Sequence, residues 1–405
     1  MKPLRLAVIF DQPIYSGGGY QQSLNAALLT RKLPPQLAEP IFFTTRIENI
    51  SSLAEYGIDA MHLRLSRFPR LRSRLSKFIE RLKFLGAASR FLSIDPFEKH
   101  LLDFDIDLVY FISPNGLARR LDRLNYITTV WDLCHRDDPE FPEVRWHREF
   151  EARESNYRAI LPRATAVLVD SEHGKINVVR RYGIDAERIL VMPFEAAQGS
   201  QIDDDCSTGH IDIRQKYKLD VPYVFYPAQF WAHKNHVYLL EGLKILKVEH
   251  RIEIGAIFAG YDYGNLDHVK ACVEKFSLGD RIRFAGFVPN DEIPYLYRQS
   301  LALVMPTYFG PTNLPPLEAF SLNVPVLYPD KAGLRDQVGD AALLMDLTNP
   351  HTMADHLARL ISDTSLRARL IKAGQAQLAS YAAFNRIDVL ESIIKDFRWR
   401  RACWR

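Results

Sequence analysis

A turn rich in glycine and proline, residues 308–320 (YFGPTNLPPLEAF), contains the residue types that hold a bound anion. It follows an apolar run typical of a buried strand and leads into a helix. Gly310 lets the backbone come close to a ligand, Asn313 can cap the helix, and prolines are tolerated in a first helical turn. Because a helix start exposes unpaired N–H groups and partial positive charge, the amides of residues 312–314 are predicted to bind a phosphate.

Two charged residues could complete such a site. Glu318 lies about one turn into the helix, and a capping-box acid paired with Asn313 would instead fall at position 316. The alternative for Glu318 is a surface glutamate favoured by the helix dipole. Lys234, in FYPAQFWAHKNH (225–236), stands between a strand and a helix, where an ammonium group could meet a phosphate. The alternative for Lys234 is an ordinary solvated lysine.

Alternating strand and helix patterns must position these residues. Apolar runs predict strands at 4–10, 39–45, 107–113, 126–132 and 166–171, and a second series of six strands begins near residue 221. Such alternation predicts an α/β protein with two doubly wound parallel sheets covered by helices. In folds of this kind ligands bind at the carboxyl ends of the strands.

A polar stretch, residues 195–212, has almost no apolar content and is predicted to link the two domains. We therefore expect an N-terminal Rossmann-like domain over residues 1–195 and a C-terminal one over residues 196–380. Residues 381–405 are expected to form a helix and tail that return to the N-terminal domain.

Composition excludes several classes of protein. The 405 residues are 47% hydrophobic and 25% charged, which is typical of a globular protein. The net charge of +3 is too small to imply nucleic-acid binding. Four widely spaced cysteines without metal-ligand spacing indicate reduced thiols in a cytoplasmic protein. The sequence enters a strand directly, and neither a signal peptide nor a membrane span is predicted.

The stretches 225–236, 281–327 and 340–346 resemble the C-terminal half of a GT-B glycosyltransferase of family 4. The N-terminal half resembles the family more loosely, through GGGYQQSLNAAL and TTVWDLCHRDDPEFPE. Members are retaining enzymes of bacterial polysaccharide and glycolipid assembly that use nucleotide sugars. The resemblance implies two Rossmann-like domains with the active-site cleft between them.

The resemblance also implies roles for individual residues. Lys234 and the amides of Thr312, Asn313 and Leu314 would bind the donor diphosphate, and Glu318 would accept hydrogen bonds from the ribose. The segment 286–288, with Phe287 and Val288, would contact the base largely through its backbone. The glycine loop of the N-terminal domain, Gly17, Gly18 and Gly19, would close over the diphosphate and the acceptor.

Three positions depart from the family pattern. Gly310 stands where the first of two glutamates is usual, so the contacts to the donor sugar must differ. Gln229 stands where an arginine usually binds phosphate. The usual His-Asp pair is Trp131–Asp132, and His135 is the nearest histidine. We expect Asp132 and His135 to act in catalysis, and a structural histidine is the alternative for His135.

No metal or other cofactor is expected. The acidic runs DDD (203–205) and DFDID (103–107) lie in the linker and before a strand, and we interpret both as solvated acids. The charge that develops on a diphosphate leaving group would then be stabilised by Lys234 and the helix-start amides. The leaving phosphate can itself take the acceptor proton, so that the protein contributes positioning and electrostatics.

Two basic segments that also contain aromatic or leucine residues, 63–92 and 397–405, are typical of contact with an anionic membrane surface. A solvated helix face and nucleic-acid binding are the alternatives, and the sequence contains no nucleic-acid module.

The sequence therefore predicts a glycosyltransferase at the cytoplasmic face of a membrane, moving a sugar from a nucleotide diphosphate sugar to a glycan or lipid-linked acceptor. The alternatives are a sugar-nucleotide epimerase or phosphorylase of the same fold, and a non-catalytic binding subunit.

Overall fold

Seven parallel strands form the first sheet in a computed structural model, which describes residues 2–14, 17–64, 94–195, 211–310 and 312–404. The strands are β1 (Leu4–Ile9), β2 (Ala38–Thr44), β3 (Ala60–His62), β4 (Leu108–Phe111), β5 (Asn125–Val130), β6 (Ala166–Val169) and β7 (Ile189–Val191). Their spatial order is β3-β2-β1-β4-β5-β6-β7. The described helices that accompany this sheet are α1 (Gly18–Thr30), α2 (Glu48–Glu55), α3 (Pro96–Asp103), α4 (Cys134–Asp137), α5 (Pro142–Arg145), α6 (Glu149–Ile160) and α7 (Glu172–Tyr182).

A second parallel sheet has six strands. They are β8 (Tyr223–Pro227), β9 (Gly255–Ala259), β10 (Ile282–Gly286), β11 (Leu303–Val304), β12 (Val326–Pro329) and β13 (Ala342–Met345), in the order β10-β9-β8-β11-β12-β13. The helices of this half are α8 (Ile213–Lys216), α9 (His236–Ile245), α10 (Leu266–Lys275), α11 (Ile293–Arg298), α12 (Leu314–Ser321), α13 (Leu334–Val338), α14 (His351–Ser362) and α15 (Thr364–Ala383). A last helix, α16 (Arg386–Arg401), ends the described chain. The predicted fold class, two doubly wound α/β units, is confirmed.

Burial explains why these strands read as continuous apolar runs. Along β1, Leu6 and Val8 enter the core on one face of the first sheet, and Ala7 and Ile9 enter the core on the other face. Helices cover both faces, so every residue of β4 is buried. Two strands were not predicted, β3 and β7, because each has only three residues at a sheet edge and is too short to carry a periodic pattern.

The chain returns to the first half at its end. Leu390, Ile393 and Phe397 of α16 pack into the same core as β1 and α1. Arg386 at the start of α16 donates to the carbonyl oxygens of Pro193 (2.7 Å) and Phe194 (3.0 Å), which lie just after β7. The two places where the chain passes between the halves, after β7 and before α16, therefore lie side by side. The predicted boundary itself stays a prediction, since residues 196–210 of the linker lie outside the described part.

The basic tail lies at the amino ends of the first sheet. Arg398 donates to the carbonyl oxygens of Gln36 (3.1 Å) and Leu37 (3.3 Å), just before β2, and Arg401 donates to that of Asp107 (3.1 Å), just before β4. Trp399 and Trp404 are 77% and 57% exposed. Residues 65–92 of the other basic segment lie outside the described residues.

Within the described chain, no helix is both long enough and apolar enough to cross a membrane. Cys134, Cys272 and Cys403 are free thiols, and Cys206 lies outside the described residues.

Candidate functional site

The turn between β11 and α12 lies where the sequence predicts it, but its Asn313 side chain makes different hydrogen bonds from those expected. Gly310 adopts φ +90°, a conformation that favours glycine. Asn313 occupies the cap position of α12, yet its side chain makes no capping hydrogen bond. Its amide nitrogen instead donates to the hydroxyl of Tyr328 (2.6 Å) and to the carbonyl oxygens of Phe309 and Gly310 (each 3.3 Å). The predicted side-chain cap is therefore wrong, and Asn313 fixes the turn from inside.

One of the three predicted phosphate-binding amides is already engaged. The backbone N–H of Asn313 donates to the side-chain oxygen of Gln337 (2.9 Å), and the Gln337 side-chain nitrogen donates back to the Asn313 carbonyl (2.5 Å). This reciprocal pair ties α12 to α13 and removes the Asn313 amide from the site. The amides of Thr312 and Leu314 remain the candidates for an anion.

Lys234 lies where the sequence places it, at the carboxyl end of β8. It is the last residue of a single 3-10 turn, Ala232–Lys234, and Asn235 with φ +53° turns the chain into α9. The hydroxyl of Tyr226 donates to its carbonyl oxygen (2.8 Å). Burial lowers the pKa of Lys234 to about 8, against the opposing effect of Cys134, Asp132 and Glu143. Those three groups belong to the first half of the chain, so the ammonium faces the cleft between the two halves.

Glu318 is partly buried in the first turns of α12. Its Oε2 accepts a hydrogen bond from the hydroxyl of Tyr297 on α11 (2.8 Å). Burial raises the pKa of the Glu318 carboxyl, and the Tyr297 hydrogen bond opposes that shift. A tyrosine thus fixes one oxygen of this carboxylate, which argues against a freely solvated surface glutamate.

The predicted glycine loop, Gly17–Gly19, forms the start of α1 and reaches the same place from the other half. Gly17 has φ +60°, and a Cβ there would lie 3.8 Å from the side-chain nitrogen of Gln229. A Cβ on Gly18 would lie 3.5 Å from a methyl carbon of Leu314. Gly19 follows within α1. Gly17 and Gly18 from the first half are therefore neighbours of Gln229 and Leu314 from the second.

His135 does not reach the cleft. Its side chain is fully buried, with Nε2 3.1 Å from the Glu154 carboxylate and 3.2 Å from the Tyr182 hydroxyl. Its ring stacks on Tyr157 at 5.8 Å. Burial lowers the pKa of His135, so the ring stays neutral near pH 7. This placement favours the structural alternative, because Glu154 and Tyr182 already engage Nε2 and no part of the ring is exposed. The catalytic role stays a prediction.

Asp132 does lie on the cleft, just after β5. Its Oδ1 accepts from the backbone N–H of Cys134 (3.0 Å) and pairs with Arg153 (3.2 Å). It lines a cavity of about 220 Å³ between the halves, together with Trp131, Gly310 and Lys331. Trp131, where the family resemblance led us to expect a histidine, therefore forms part of the cavity wall, as Gly310 does.

Phe287 and Val288 lie just past β10. The Phe287 ring is 65% exposed and stacks on Tyr261 with ring centroids 5.7 Å apart. Val288 is buried in the core of the second half, so only its backbone could contact a ligand.

Sequence reasoning missed three polar contacts that join the halves. Lys331 donates to Asp138 (2.6 Å), the backbone N–H of His233 donates to Glu143 (2.8 Å), and the hydroxyl of Thr312 donates to Asp170. An aromatic cluster of Phe141, Tyr308 and Phe309 lies beside them. The partners are between 90 and 193 residues apart in the chain, and no local pattern could have indicated them.

Among the described residues, no group of three or more histidine, cysteine, aspartate or glutamate side chains is arranged to hold a metal ion. The DDD run lies outside those residues. The expected metal independence stays a prediction.

Comparisons with known proteins support the fold. Residues 210–377 match the family model described as Glycosyl transferases group 1. O-antigen chain mannosyltransferase B of Escherichia coli is 28% identical over 320 residues, which cover 76% of this chain and 79% of that protein. A glycosyltransferase from Rickettsia africae ESF-5 superposes with a TM-score of 0.69 at 15% identity, covering 98% and 99% of the two chains. The structure of Anabaena Alr3699/HepE in complex with UDP superposes with a TM-score of 0.68 at 14% identity, and the match covers 99% of this chain and 100% of that one.

Proposed function

The chain carries a group 1 glycosyltransferase domain on a GT-B fold, and on that premise we propose that it transfers a hexose from a nucleotide diphosphate sugar to an acceptor of O-antigen type. Mannose is the first sugar to test, because the Escherichia coli relative is named as a mannosyltransferase of the O-antigen chain. The acceptor is a growing glycan or a lipid-linked sugar.

One observation carries the proposal. The Gly17–Gly19 loop from the first half lies against Gln229 and Leu314 from the second. Lys234 faces the same cleft, and α12 begins there. A cation, a helix start and a glycine backbone that can come close to a ligand, all at one cleft, are what a diphosphate needs. This supports a site that holds the donor between the two domains.

In this reaction the bond from the sugar to the diphosphate breaks, and negative charge develops on the leaving phosphate. The ammonium of Lys234 and the amides of Thr312 and Leu314 would stabilise that charge. We propose retention, with the acceptor attacking from the face that the diphosphate leaves. The leaving phosphate takes the acceptor proton, so the residues of the cleft contribute orientation rather than a covalent intermediate.

The acceptor would enter from the first domain, past Trp131 and Asp132, which line the cavity between the halves. We propose that the enzyme works at the cytoplasmic face of a membrane, where its basic segments meet anionic lipid. The exposed Trp399 and Trp404 beside Arg400 support a membrane contact at the tail, because tryptophan favours the interface.

Two alternatives predict different behaviour. An epimerase or phosphorylase would turn over the sugar nucleotide without a glycan acceptor. A non-catalytic subunit would bind the donor without any turnover, and the absence of both the first family glutamate and the family histidine favours it.

A thermal-shift screen against UDP-, GDP-, dTDP- and CMP-sugars tests the proposal, since a ligand that binds only the folded protein raises its apparent stability. We expect one nucleotide series to raise the midpoint, with GDP-mannose and UDP-glucose as the first two compounds. Transfer of labelled sugar to a glycan acceptor then separates the transferase from both alternatives. No response to any of the four series would contradict a donor site.

A further inference from the structure

A buried carboxylate lies directly behind the turn assigned to phosphate binding. Asp170 follows β6 and is 3% exposed. One of its oxygens accepts a hydrogen bond from the hydroxyl of Thr312, across the cleft, and the other accepts from the hydroxyl of Ser171 (3.1 Å). An aspartate is seldom buried without a cation beside it, and the partners of Asp170 are two neutral hydroxyls.

The surroundings explain the state of this carboxyl. Burial raises the pKa of Asp170 to about 7, and the Thr312 and Ser171 hydrogen bonds oppose that shift. The titratable groups that face it are Asp132 after β5, Tyr328 on β12 and Tyr381 on α15. A small cavity on its other side is lined by Arg386 and Glu195, which pair with each other at 3.3 Å. No cation is therefore dedicated to Asp170 among the described residues.

Thr312 connects this carboxyl to the donor. Its hydroxyl is held by Asp170, and its backbone amide is one of the two that remain available to a phosphate. A diphosphate bound to the Thr312 amide would bring its negative charge close to the Asp170 carboxylate, because both groups would then contact the same residue, Thr312. Like charges at such short range in a partly dry cleft favour protonation of the weaker acid.

We propose that Asp170 is a positioning residue that holds the phosphate-binding turn through Thr312 and becomes protonated from solvent when the sugar nucleotide binds. This inference rests on the proposed function. The carboxyl keeps the turn in place when the site is empty, and its protonation removes the repulsion when the diphosphate arrives. A protonated carboxyl can still accept the Thr312 hydrogen bond through its carbonyl oxygen.

Titration calorimetry at about pH 7 in two buffers of different ionisation enthalpy measures the protons taken up. The probes are UDP-glucose and GDP-mannose, whose diphosphate diesters do not titrate near neutral pH. We expect the wild type to take up about half a proton per donor bound, because a carboxyl with a pKa of about 7 is half protonated at that pH. Donor affinity should fall as the pH rises from about 6 to about 7.5.

Three variants separate this role from a merely structural one. Asp170→Asn keeps an acceptor for Thr312 and cannot ionise, so most of the proton uptake and of the fall in affinity should disappear, with a small remainder from Lys234. Asp170→Ala should weaken donor binding about tenfold through loss of the buried hydrogen bond. Thr312→Val removes the hydrogen bond from the opposite side and should lower both affinity and proton uptake.

Glu154→Gln is the matched control. Glu154 is also a buried carboxylate of the first half, but it lies beside His135, away from the cleft, and accepts hydrogen bonds from Arg136 (2.7 Å) and Tyr182 (2.6 Å). Burial raises its pKa, and the hydrogen bonds from Arg136, Tyr182 and His135 outweigh that effect and lower the pKa to about 2. It stays ionised near pH 7, so its variant should keep the proton uptake of the wild type. Equal proton uptake in the wild type and Asp170→Asn would overturn the inference and leave the proposed function standing. Failure of UDP-, GDP-, dTDP- and CMP-sugars to bind the wild type would overturn both.

Discussion

Lys234 is the residue on which the assignment of the donor site depends most. Replacing it by alanine removes a charged hydrogen bond to the diphosphate, worth roughly 1.5–3 kcal/mol, and should weaken donor binding on the order of 10- to 100-fold. Since the pKa of Lys234 is about 8, its ammonium is present below that pH and is lost above it. Donor affinity of the wild type should therefore fall above about pH 8, and Lys234→Ala should lack this fall.

Calorimetric titration with the donor measures both effects. Lys244→Ala is the control, because Lys244 lies on the adjoining helix α9 with its ammonium over the Phe276 ring, away from the cleft. Unchanged affinity in a folded Lys234→Ala protein would remove this lysine from the site.

Glu318 provides a second test of the donor site with a single substitution. Glu318→Ala should also weaken donor binding on the order of 10- to 100-fold, since it removes a carboxylate acceptor for the ribose hydroxyls. Glu318→Gln keeps one acceptor oxygen and should lose less. Glu274→Ala, on the exposed face of α10, is the control in the same binding assay. A donor that binds Glu318→Ala as tightly as the wild type would show that the Tyr297 hydrogen bond is the only role of this carboxylate.

The sequence allowed prediction of the places of Lys234 and Glu318 in the fold, but not of the surroundings of His135. Lys234 and Glu318 sit at fixed distances from the start of a helix, so local spacing determines where they point. The surroundings of His135 come from Glu154 and Tyr182, which are 19 and 47 residues away and which no local pattern relates to it. The same holds for the Asn313 side chain. It donates to the hydroxyl of Tyr328 and does not cap α12, and Tyr328 lies on the neighbouring strand β12.

At the scale of elements, the turn before α12 depends on glycine at position 310. A side chain there would require a left-handed conformation, at a cost of about 1–2 kcal/mol, and its Cβ would lie 3.2 Å from the Asn313 side chain. Gly310→Ala should therefore lower the midpoint of thermal unfolding by about 2–4 °C for each kcal/mol lost. It should also weaken donor binding, because Asn313 is pushed from its place.

Gly264→Ala separates these two effects. Gly264 has a similar φ of +97°, and a Cβ added there would meet no atom within 4 Å, so its substitution carries the conformational cost alone. It should lower the thermal midpoint and leave donor affinity unchanged. Equal donor affinity in the two variants would mean that the turn tolerates a side chain and does not shape the site.

The elements themselves were largely predictable. Eleven of the thirteen strands follow from apolar runs bounded by turn residues, because strands covered on both faces must be apolar throughout. The two short edge strands carry no such signal. The contacts across the cleft depend on how the two halves meet, which a pattern of local hydrophobicity does not encode.

At the scale of the whole molecule, we expect turnover without a bound metal ion. Sugar transfer should survive EDTA, since no described acidic cluster is arranged around the place assigned to the diphosphate. A transfer assay with and without EDTA, followed by added manganese, makes the measurement. Complete loss in EDTA with recovery in manganese would mean that the aspartates at 203–205 or elsewhere hold a metal.

The membrane contact is the second prediction at this scale. Changing Arg70, Arg72, Arg74 and Lys77 together to glutamate should abolish co-sedimentation with anionic vesicles at low salt, because each basic residue near the surface contributes about 1 kcal/mol. Transfer to a soluble acceptor analogue should be unaffected. Matched charge reversals at Lys270, Arg359, Arg369 and Lys372, all exposed in the second half, should leave vesicle binding intact. A wild-type protein that ignores anionic vesicles would contradict the contact.

The position of the tail has a consequence for which acceptors the enzyme can use. The tail lies at the amino ends of the first sheet, and the glycine loop, Trp131 and Asp132 lie at the carboxyl ends. A strand of six residues spans roughly 20 Å. If only the tail rests on lipid and the strands stand upright on the bilayer, the cleft lies roughly 20 Å above the surface. The basic segment 63–92 follows β3 and leaves the sheet at its carboxyl ends, so a contact through that segment brings the cleft toward the lipid instead. The two contacts therefore select different acceptors: the tail favours a glycan several sugars long, and the segment after β3 favours a sugar joined close to the lipid.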